Sequence, residues 1–405
     1  MEFLKNLKYK NLFEDLYVIN RSLLGSENNK ALARINREYP VVVHTFDSGE
    51  SVGDWVIPDE WVLHNASLTD DHGNIICTTK ESVLRVVNYS ESVDQELSLK
   101  QLLKHIHTSK VLPNSYPYRT SYYKKQWGFC LTKNEKDNLR SDRIYRAQIK
   151  TEFKKSKMSV GEIYLAGETK EEILLTSYIC HPAQAHDGLS GVICLLYVYD
   201  MLKAIKNRKY SYRFLFTPET IGTIAMIQKR LNLEKIKFCL VSTCCGMKSE
   251  PVFKETYLKN HAIDNILNKI ILNRKQFIPI GSDERQYSSP NIRIPTAVIA
   301  TKMYSEFEEY HTSEDSIDKI DYNTIRYIAG KYAKALLDYE NRICYKMNHI
   351  GCEPFLTKYD LYRTVGGVTD VNDDLARNWV LFLSDGEHDI LDMSVKSELP
   401  IELLS

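Results

Sequence analysis

The sequence predicts an α/β protein that carries a β-rich insertion and a small helical segment at its C-terminus. After about Tyr145, strand-like runs such as EEILLTSYIC and KFCLVST alternate with helix-like runs such as GVICLLYVYDMLKAI. This alternation is typical of a layered α/β sheet with its functional residues at the carboxyl ends of the strands. Between residues 41 and 139 the apolar runs are short, aromatic and interrupted by turns, which favours a separate β-rich unit.

The elements follow in order along the chain. Residues 2–36 are predicted to be helical because apolar residues recur there at helical spacing, namely Leu4, Leu7, Leu12, Leu16 and Ile19. The runs VVVHTF, DWVIPDEWVL, NIICTT and LRVVNYS are the expected strands of the insertion, and residues 321–345 form a closing helix. We therefore place the α/β domain at residues 1–40 and 140–345, the insertion at 41–139 and the C-terminal segment at 346–405.

Composition excludes several classes of protein. The 405 residues are 43% apolar, which is ordinary for a folded globular chain, and 53 basic residues balance 53 acidic ones. This balance provides no general electrostatic attraction to nucleic acid or an anionic membrane. No apolar run is long enough to span a bilayer, and the charged N-terminus lacks a signal-peptide core, so we expect a cytoplasmic protein. The nine cysteines have no CxxC spacing, which argues against a disulfide framework or a zinc finger.

The strongest chemical motif is CHPAQAHDGLSG at residues 180–191. His181 follows a predicted strand, and Asp187 precedes a glycine-containing turn that opens an apolar helix. Histidine and aspartate at a strand end are suitable metal ligands. A helix-capping aspartate beside a loop histidine explains the same pattern about equally well when the motif is taken alone.

Two later motifs also follow predicted strands. Glu219 in YRFLFTPETIG is positioned to act as a general base, although a solvated glutamate in a helix first turn fits equally well. His311 in EEYHTSEDS is a candidate ligand, and Asp315 or Ser313 is an alternative cap for a short helix.

Taken together, the motifs resemble the zinc-dependent aminopeptidase superfamily that also contains the glutamate-carboxypeptidase-like enzymes. The similarity is closer to a bacterial branch of aminopeptidase-like proteins whose genes often lie near surface-polysaccharide biosynthesis loci. The blocks that carry it are DWVIPDEW, YPYRTSYYKKQWGFCL, CHPAQAHDGLSG, RFLFTPETIG, GSDERQYSSP and EYHTSEDS. The resemblance implies a mixed-sheet α/β sandwich of the phosphorylase/hydrolase type with a β-rich insertion and a winged-helix-like C-terminus.

The resemblance also implies roles for single residues. His181 and His311 match histidine ligands, Asp187 matches the aspartate that bridges two zinc ions in the dinuclear enzymes, and Glu219 matches the general base. This chain departs from the pattern at Thr220, where those enzymes have a glutamate ligand. It also lacks the expected aspartate within residues 242–246, and alanine replaces a further aspartate at position 183. Three protein ligands and one open position are typical of a single catalytic zinc, so we expect one ion per chain.

Other residues are reserve candidates. His186, Asp283, Glu284 and Arg285 are candidates for additional metal ligands or substrate contacts. Cys180, Cys244 and Arg119 are further candidates. Six aromatic residues of the insertion are candidates for lining a substrate cleft, although core packing is the commoner role for each: Trp55, Trp61, Trp127, Tyr118, Tyr122 and Tyr123.

The resulting hypothesis is a zinc-dependent hydrolase of an amide or peptide bond, in which Glu219 takes a proton from the attacking metal-bound water. A link to surface-polysaccharide biosynthesis follows from the resemblance. The alternative is a weak or inactive relative that binds a peptide or small molecule. We do not expect a nucleic-acid partner, because the C-terminal segment ends before a recognition helix is complete. A homo-oligomer is compatible with the sequence.

Overall fold

The structure is a computed structural model, and it describes residues 2–348, 352–359, 361 and 371–405. Its helices are α1 Glu2–Tyr17, α2 Ser26–Asn36, α3 Leu99–Leu102, α4 Lys133–Asp137, α5 Leu189–Lys203, α6 Ile221–Lys229, α7 Ala262–Ile270, α8 Glu284–Tyr287, α9 Tyr322–Glu340, α10 Val371–Phe382, α11 Ile390–Ser397 and α12 Ile401–Leu404. Its strands are β1 Val42–Asp47, β2 Ser51–Val52, β3 Trp55–Val56, β4 Glu60–Asp70, β5 Ile75–Thr78, β6 Val93–Ser98, β7 Ile106–His107, β8 Phe129–Cys130, β9 Ile144–Lys154, β10 Lys157–Leu165, β11 Glu172–Tyr178, β12 Ser211–Thr217, β13 Ile236–Ser242, β14 Val252–Lys254, β15 Asn273–Lys275 and β16 Thr296–Ala300.

The largest sheet has eight strands in the order β1-β10-β12-β11-β13-β16-β14-β15. Its centre, β12-β11-β13-β16, is parallel, whereas β1, β10 and β14 join through antiparallel pairs. The mixed α/β sheet confirms the predicted fold class. Because the four central strands run in one direction, their carboxyl ends lie along the same edge of the sheet.

A hydrophobic core covers each face of this sheet. Along β11, Ile173 and Leu175 pack into the core formed with α1, α5 and α9, and Leu174 packs into the core that includes α6. This alternation follows from the two-residue period of a strand. The centre of the sheet is therefore buried on both faces, and α5 is buried along almost its whole length.

The insertion has its own four-stranded antiparallel sheet, in the order β5-β4-β9-β6, and its own apolar core. Both predicted boundaries of the insertion require correction. β1 lies inside the predicted insertion at 41–139 but pairs with β10 in the large sheet. β9 lies inside the predicted α/β domain but pairs with β4 and β6 in the small sheet. The apolar pattern predicts a strand without specifying its partner, so consecutive strands were assigned to the wrong sheets.

Two terminal regions also need description. The predicted helix at 2–36 is two helices, α1 and α2, joined by a linker at residues 18–25. At the other end, α10, α11 and α12 share a small core, and the Arg342 Nε atom binds Asp389 Oδ2 at 2.8 Å to fasten this segment to the end of α9. Within the described ranges, no helix is both long and apolar enough to cross a membrane.

Candidate metal centre

Three of the predicted site residues meet at the carboxyl edge of the large sheet. His181 follows β11, Asp187 lies just before α5, and His311 lies in the loop after β16. One ligand atom from each residue lies within 4.8 Å of the other two. The parallel direction of β11 and β16 explains how side chains 130 residues apart in sequence come together.

Two buried atoms of this cluster, Asp187 Oδ2 and His311 Nε2, have no hydrogen-bond partner among the described residues. The His311 Nε2 atom lies 2.9 Å from Asp187 Oδ2, so the two atoms contact each other and no other described polar group. Asp187 is 1% exposed. A buried acceptor without a donor is costly, and a cation placed among the three side chains would satisfy it. Two imidazoles and a carboxylate are a donor set that suits zinc.

The charge states also suit a metal. Burial lowers the pKa of His181 to about 4, which leaves a neutral imidazole at pH 7, the form that coordinates metal ions. Burial raises the pKa of Asp187, but His181, His311 and the Tyr178 hydroxyl outweigh burial and hold this pKa well below its usual range. Asp187 is therefore ionised.

The loop that carries His181 and Asp187 is held by several groups. The Asp315 carboxylate accepts the backbone N–H groups of His186 at 2.6 Å and Asp187 at 2.9 Å. The buried Arg21 donates to the His181 carbonyl at 2.6 Å. Sequence analysis treated Asp315 only as a possible helix cap and did not identify Arg21, because its position in the linker between α1 and α2 carries no motif.

Two glycines allow the loop to pack tightly. Gly188 has a φ of 87°, in the left-handed region that favours glycine. A Cβ atom at Gly191 would lie 2.2 Å from the Ser242 carbonyl oxygen, so only glycine lets the start of α5 approach β13 this closely.

Glu219 lies beside the cluster, just after β12. Its Oε2 atom is 3.6 Å from His181 Nε2, and its Oε1 atom accepts a hydrogen bond from the Ser282 hydroxyl. Burial, together with the negative charge of Asp283, raises the pKa of Glu219 to about 8. A cation at the cluster would favour the ionised form and lower this pKa.

Thr220 and Thr243 form hydrogen bonds at the edge of the site. The Thr220 N–H donates to Asp283 Oδ1 at 2.7 Å, and Thr243 Oγ1 lies 2.6 Å from the Tyr178 hydroxyl. Tyr178 in turn donates to Asp187 Oδ1. One oxygen of Asp187 is therefore hydrogen-bonded, and only Oδ2 faces the two histidines.

The reserve candidates lie outside the ligand cluster. His186 accepts the Gly246 N–H at Nδ1, 3.0 Å away, and its ring packs edge-to-face on Phe307. Asp283 accepts the Thr220 N–H, as described above. The Glu284 carboxylate pairs with Lys254 at 2.8 Å.

The remaining reserve side chains have local partners. The Arg285 Nε atom donates to the Ser282 carbonyl at 3.0 Å. The Cys180 Sγ atom accepts the Glu219 N–H at 3.2 Å and lies 3.6 Å from His181 Nδ1. Cys244 Sγ lies 3.9 Å from Asp187 Oδ1. Arg119 is exposed.

The insertion contacts the three candidate ligands, called the metal cluster below, through Tyr118. Its ring lies 5.3 Å from the His181 ring and 5.2 Å from the His311 ring, edge-on to both. The Tyr118 N–H donates to the His311 carbonyl at 2.7 Å, and the Ser313 N–H donates to the Tyr116 carbonyl at 2.9 Å. The insertion therefore packs beside the site.

The tryptophans named as possible cleft residues have other contacts. The Trp61 indole donates to the Ser90 carbonyl at 2.9 Å, and Trp127 stacks on His105 with 3.7 Å between ring centroids. Trp55 is 39% exposed and packs edge-to-face on Tyr123. Of the aromatic candidates, Tyr118 contacts the cluster and Tyr122 contacts Tyr118, with their hydroxyls 3.0 Å apart.

Comparisons with known proteins agree with this architecture. A family model described as "Domain of unknown function (DUF4910)" matches residues 10–341, and a winged helix-turn-helix model matches residues 343–405. A Clostridium acetobutylicum protein, named "Putative polysaccharide biosynthesis protein with aminopeptidase-like domain", is 37% identical over 395 residues, which cover 96% of this chain and 90% of that protein. The winged-helix match confirms the predicted nature of the C-terminal segment. Its lack of a nucleic-acid partner stays a prediction.

Solved structures extend the similarity. A crystal structure from Clostridium acetobutylicum, described as a "putative peptidase", matches with a TM-score of 0.81 and 34% identity, covering 99% of this chain and 93% of that one. A zinc aminopeptidase from Bacillus subtilis matches with a TM-score of 0.58 and 12% identity, covering 82% of this chain and 95% of that one. At this identity the second similarity establishes the fold alone.

Proposed function

The chain belongs to the DUF4910 family, and from this premise and the geometry of the cluster we propose that it is a zinc-dependent hydrolase of an amide or peptide bond. The observation that carries the proposal is the convergence of His181, Asp187 and His311 within 4.8 Å, with unpartnered atoms on Asp187 and His311. The fold shared with a zinc aminopeptidase supports the same reaction class.

The residues divide the chemistry between them. Zinc, when bound, polarises a carbonyl oxygen and lowers the pKa of a coordinated water. His181, Asp187 and His311 would hold the ion. Glu219 takes the proton from the attacking water and passes it to the leaving amine, and Ser282 orients the Glu219 carboxylate through its hydrogen bond.

The site favours one ion rather than two. In the dinuclear enzymes that the sequence resembles, the aspartate at the position of Asp187 uses both oxygens as ligands. Here Tyr178 occupies Oδ1, and Thr243 supports Tyr178 at the strand end where the additional carboxylate is missing. With Thr220 in place of a second glutamate, a carboxylate ligand for a second divalent ion is missing.

The substrate is a small-molecule or peptide amide. The name of the Clostridium relative supports a role in polysaccharide biosynthesis, where amides of amino sugars and of amino acids both occur. The second candidate function is a binding module without turnover, and the replacement of two ligand carboxylates by Thr220 and Thr243 favours it.

Metal analysis combined with an activity screen tests the proposal. We expect one zinc per purified chain and hydrolysis of aminoacyl amides or acylated amino sugars by the zinc-loaded protein. His181→Ala and His311→Ala should each lose the metal and most of the activity. Zinc content that is unchanged in both variants would show that the site is wrongly assigned, and stoichiometric zinc without turnover of any amide would favour the binding module.

A further inference from the structure

A pocket of about 430 Å³ lies in the insertion, next to Tyr122. Tyr122 links this pocket to the metal cluster, because its hydroxyl lies 3.0 Å from that of Tyr118, whose ring packs on both ligand histidines. Two tyrosines, Tyr122 and Tyr118, therefore separate a group bound in the pocket from the candidate metal ligands.

The walls of the pocket expose aromatic surface. Tyr123 is 53% exposed and Phe153 is 45% exposed, and both line the pocket together with Tyr122. Trp55 supports Tyr123 from outside, with 5.5 Å between the ring centroids. Aromatic side chains contribute large apolar areas when they are covered, so a cluster of exposed rings beside a cavity marks a binding surface.

Charged and polar side chains surround these rings. Lys124 and Lys125 supply donors, and Asp59 and Glu91 supply carboxylate acceptors at the same pocket. A salt bridge of 2.7 Å between Asp59 and Lys155 holds one of these carboxylates in place. A ligand for this pocket should therefore combine an apolar face with hydrogen-bonding groups around its edge.

A pyranose sugar has this combination of properties. Its C–H face packs on an aromatic ring, and its hydroxyl groups both donate and accept hydrogen bonds. An apolar peptide side chain would cover the rings but would also remove water from Lys124 and Asp59 without replacing their hydrogen bonds, which is unfavourable. The mixed lining favours the sugar.

We propose that the pocket is a glycosyl subsite, which binds a sugar ring of the substrate on the side of Tyr122 and Tyr118 that faces away from the candidate metal ligands. The proposal rests on the proposed amide hydrolase and narrows its substrate class to sugar-bearing amides. The insertion then selects the substrate, and the α/β domain carries out the hydrolysis.

Ligand-observed NMR with N-acetylglucosamine tests the subsite without any need for turnover. We expect saturable binding to the full-length protein in both its zinc-loaded and its metal-free form. Tyr123→Ala should weaken binding about tenfold, which corresponds to the loss of one stacking contact of about 1.4 kcal/mol. Because Tyr123 is half exposed, this variant should fold normally. Tyr327→Ala removes a similarly exposed tyrosine on α9, away from the pocket, and should bind as the unaltered protein does.

The outcomes separate this proposal from the function on which it rests. If the sugar binds and Tyr123→Ala weakens it, but no amide is hydrolysed, the subsite stands and the hydrolase proposal falls. If zinc binding and hydrolysis of an aminoacyl anilide are normal, but the sugar does not bind or Tyr123→Ala binds it unchanged, the subsite is refuted. Displacement of the sugar by N-acetyl-leucinamide at equal concentration would instead indicate a pocket for peptide side chains.

Discussion

Replacement of Glu219 by glutamine separates proton transfer from metal binding. Glutamine keeps the shape of the side chain, and its carbonyl oxygen can still accept the hydrogen bond from the Ser282 hydroxyl. What it loses is the ability to take a proton. Because Glu219 Oε2 lies 3.6 Å from His181 Nε2, one water can lie within reach of both the carboxylate and the ligand cluster.

The expected effect of Glu219→Gln follows from this geometry. Loss of a general base typically lowers kcat by about 10²–10⁴-fold, which corresponds to about 3–5 kcal/mol of transition-state stabilisation. Zinc content should stay near one per chain, because Glu219 is not among the three clustered ligands. Steady-state kinetics and elemental analysis of the same preparation measure both quantities.

Glu250→Gln is the matched control for this prediction, since Glu250 is exposed on the surface and should change neither activity nor metal content. A Glu219→Gln protein with more than about a tenth of the normal kcat would refute the role of general base. Loss of zinc together with activity would instead identify Glu219 as a ligand.

Three further predictions concern how the site and its supports are built. Tyr118→Ala should weaken zinc binding by about tenfold, because it removes a ring that orients both candidate histidine ligands. Tyr118→Phe keeps the ring and should bind zinc normally. Competition with a chelator measures the zinc affinity of both variants. Gly191→Ala should lower the free energy of unfolding in urea by about 1–3 kcal/mol, because its Cβ atom would clash with the neighbouring strand. The control is Gly330→Ala in α9, where no atom lies within 4 Å of the added Cβ, and this variant should be neutral or stabilising. Arg342→Ala removes the salt-bridge partner of Asp389 and Asp392, two largely buried aspartates of the C-terminal segment, at a cost of about 3–5 kcal/mol. Limited proteolysis should therefore release this segment faster. An unchanged cleavage rate would show that other contacts hold it.

The ligand roles of His181, Asp187 and His311 were inferred from the family resemblance, and the order of strands and helices adds a physical reason for these residues to lie at one edge of the sheet. Once strands and helices alternate, their carboxyl ends share an edge, and His181 and His311 must lie near each other. The supporting groups could not be predicted in the same way. The bond from Tyr178 to Asp187 joins the end of a strand to the start of a helix, and no periodic pattern marks a tyrosine as a partner of a ligand.

The boundaries of the insertion were predicted incorrectly for a related reason. β9 and β10 are consecutive strands separated by only two residues, yet they belong to different sheets. Both have the apolar character of strands, and strand pairing depends on contacts with β4 and β12, which are distant in sequence. Local pattern therefore predicts that these strands exist but does not predict which sheet each one joins.

The backbone of His311 makes the insertion a structural part of the metal centre. His311 has a φ of 53°, a left-handed conformation that costs a bulky residue about 1–3 kcal/mol and persists only where its surroundings enforce it. The hydrogen bonds of Tyr116 and Tyr118 with the 311–313 segment supply this constraint, and the Tyr118 ring also contacts His181. The α/β domain alone therefore contains all three ligand side chains without the contacts that orient one of them. If the site binds zinc as proposed, its affinity for zinc should depend on the position of the insertion, because the insertion holds the backbone of His311.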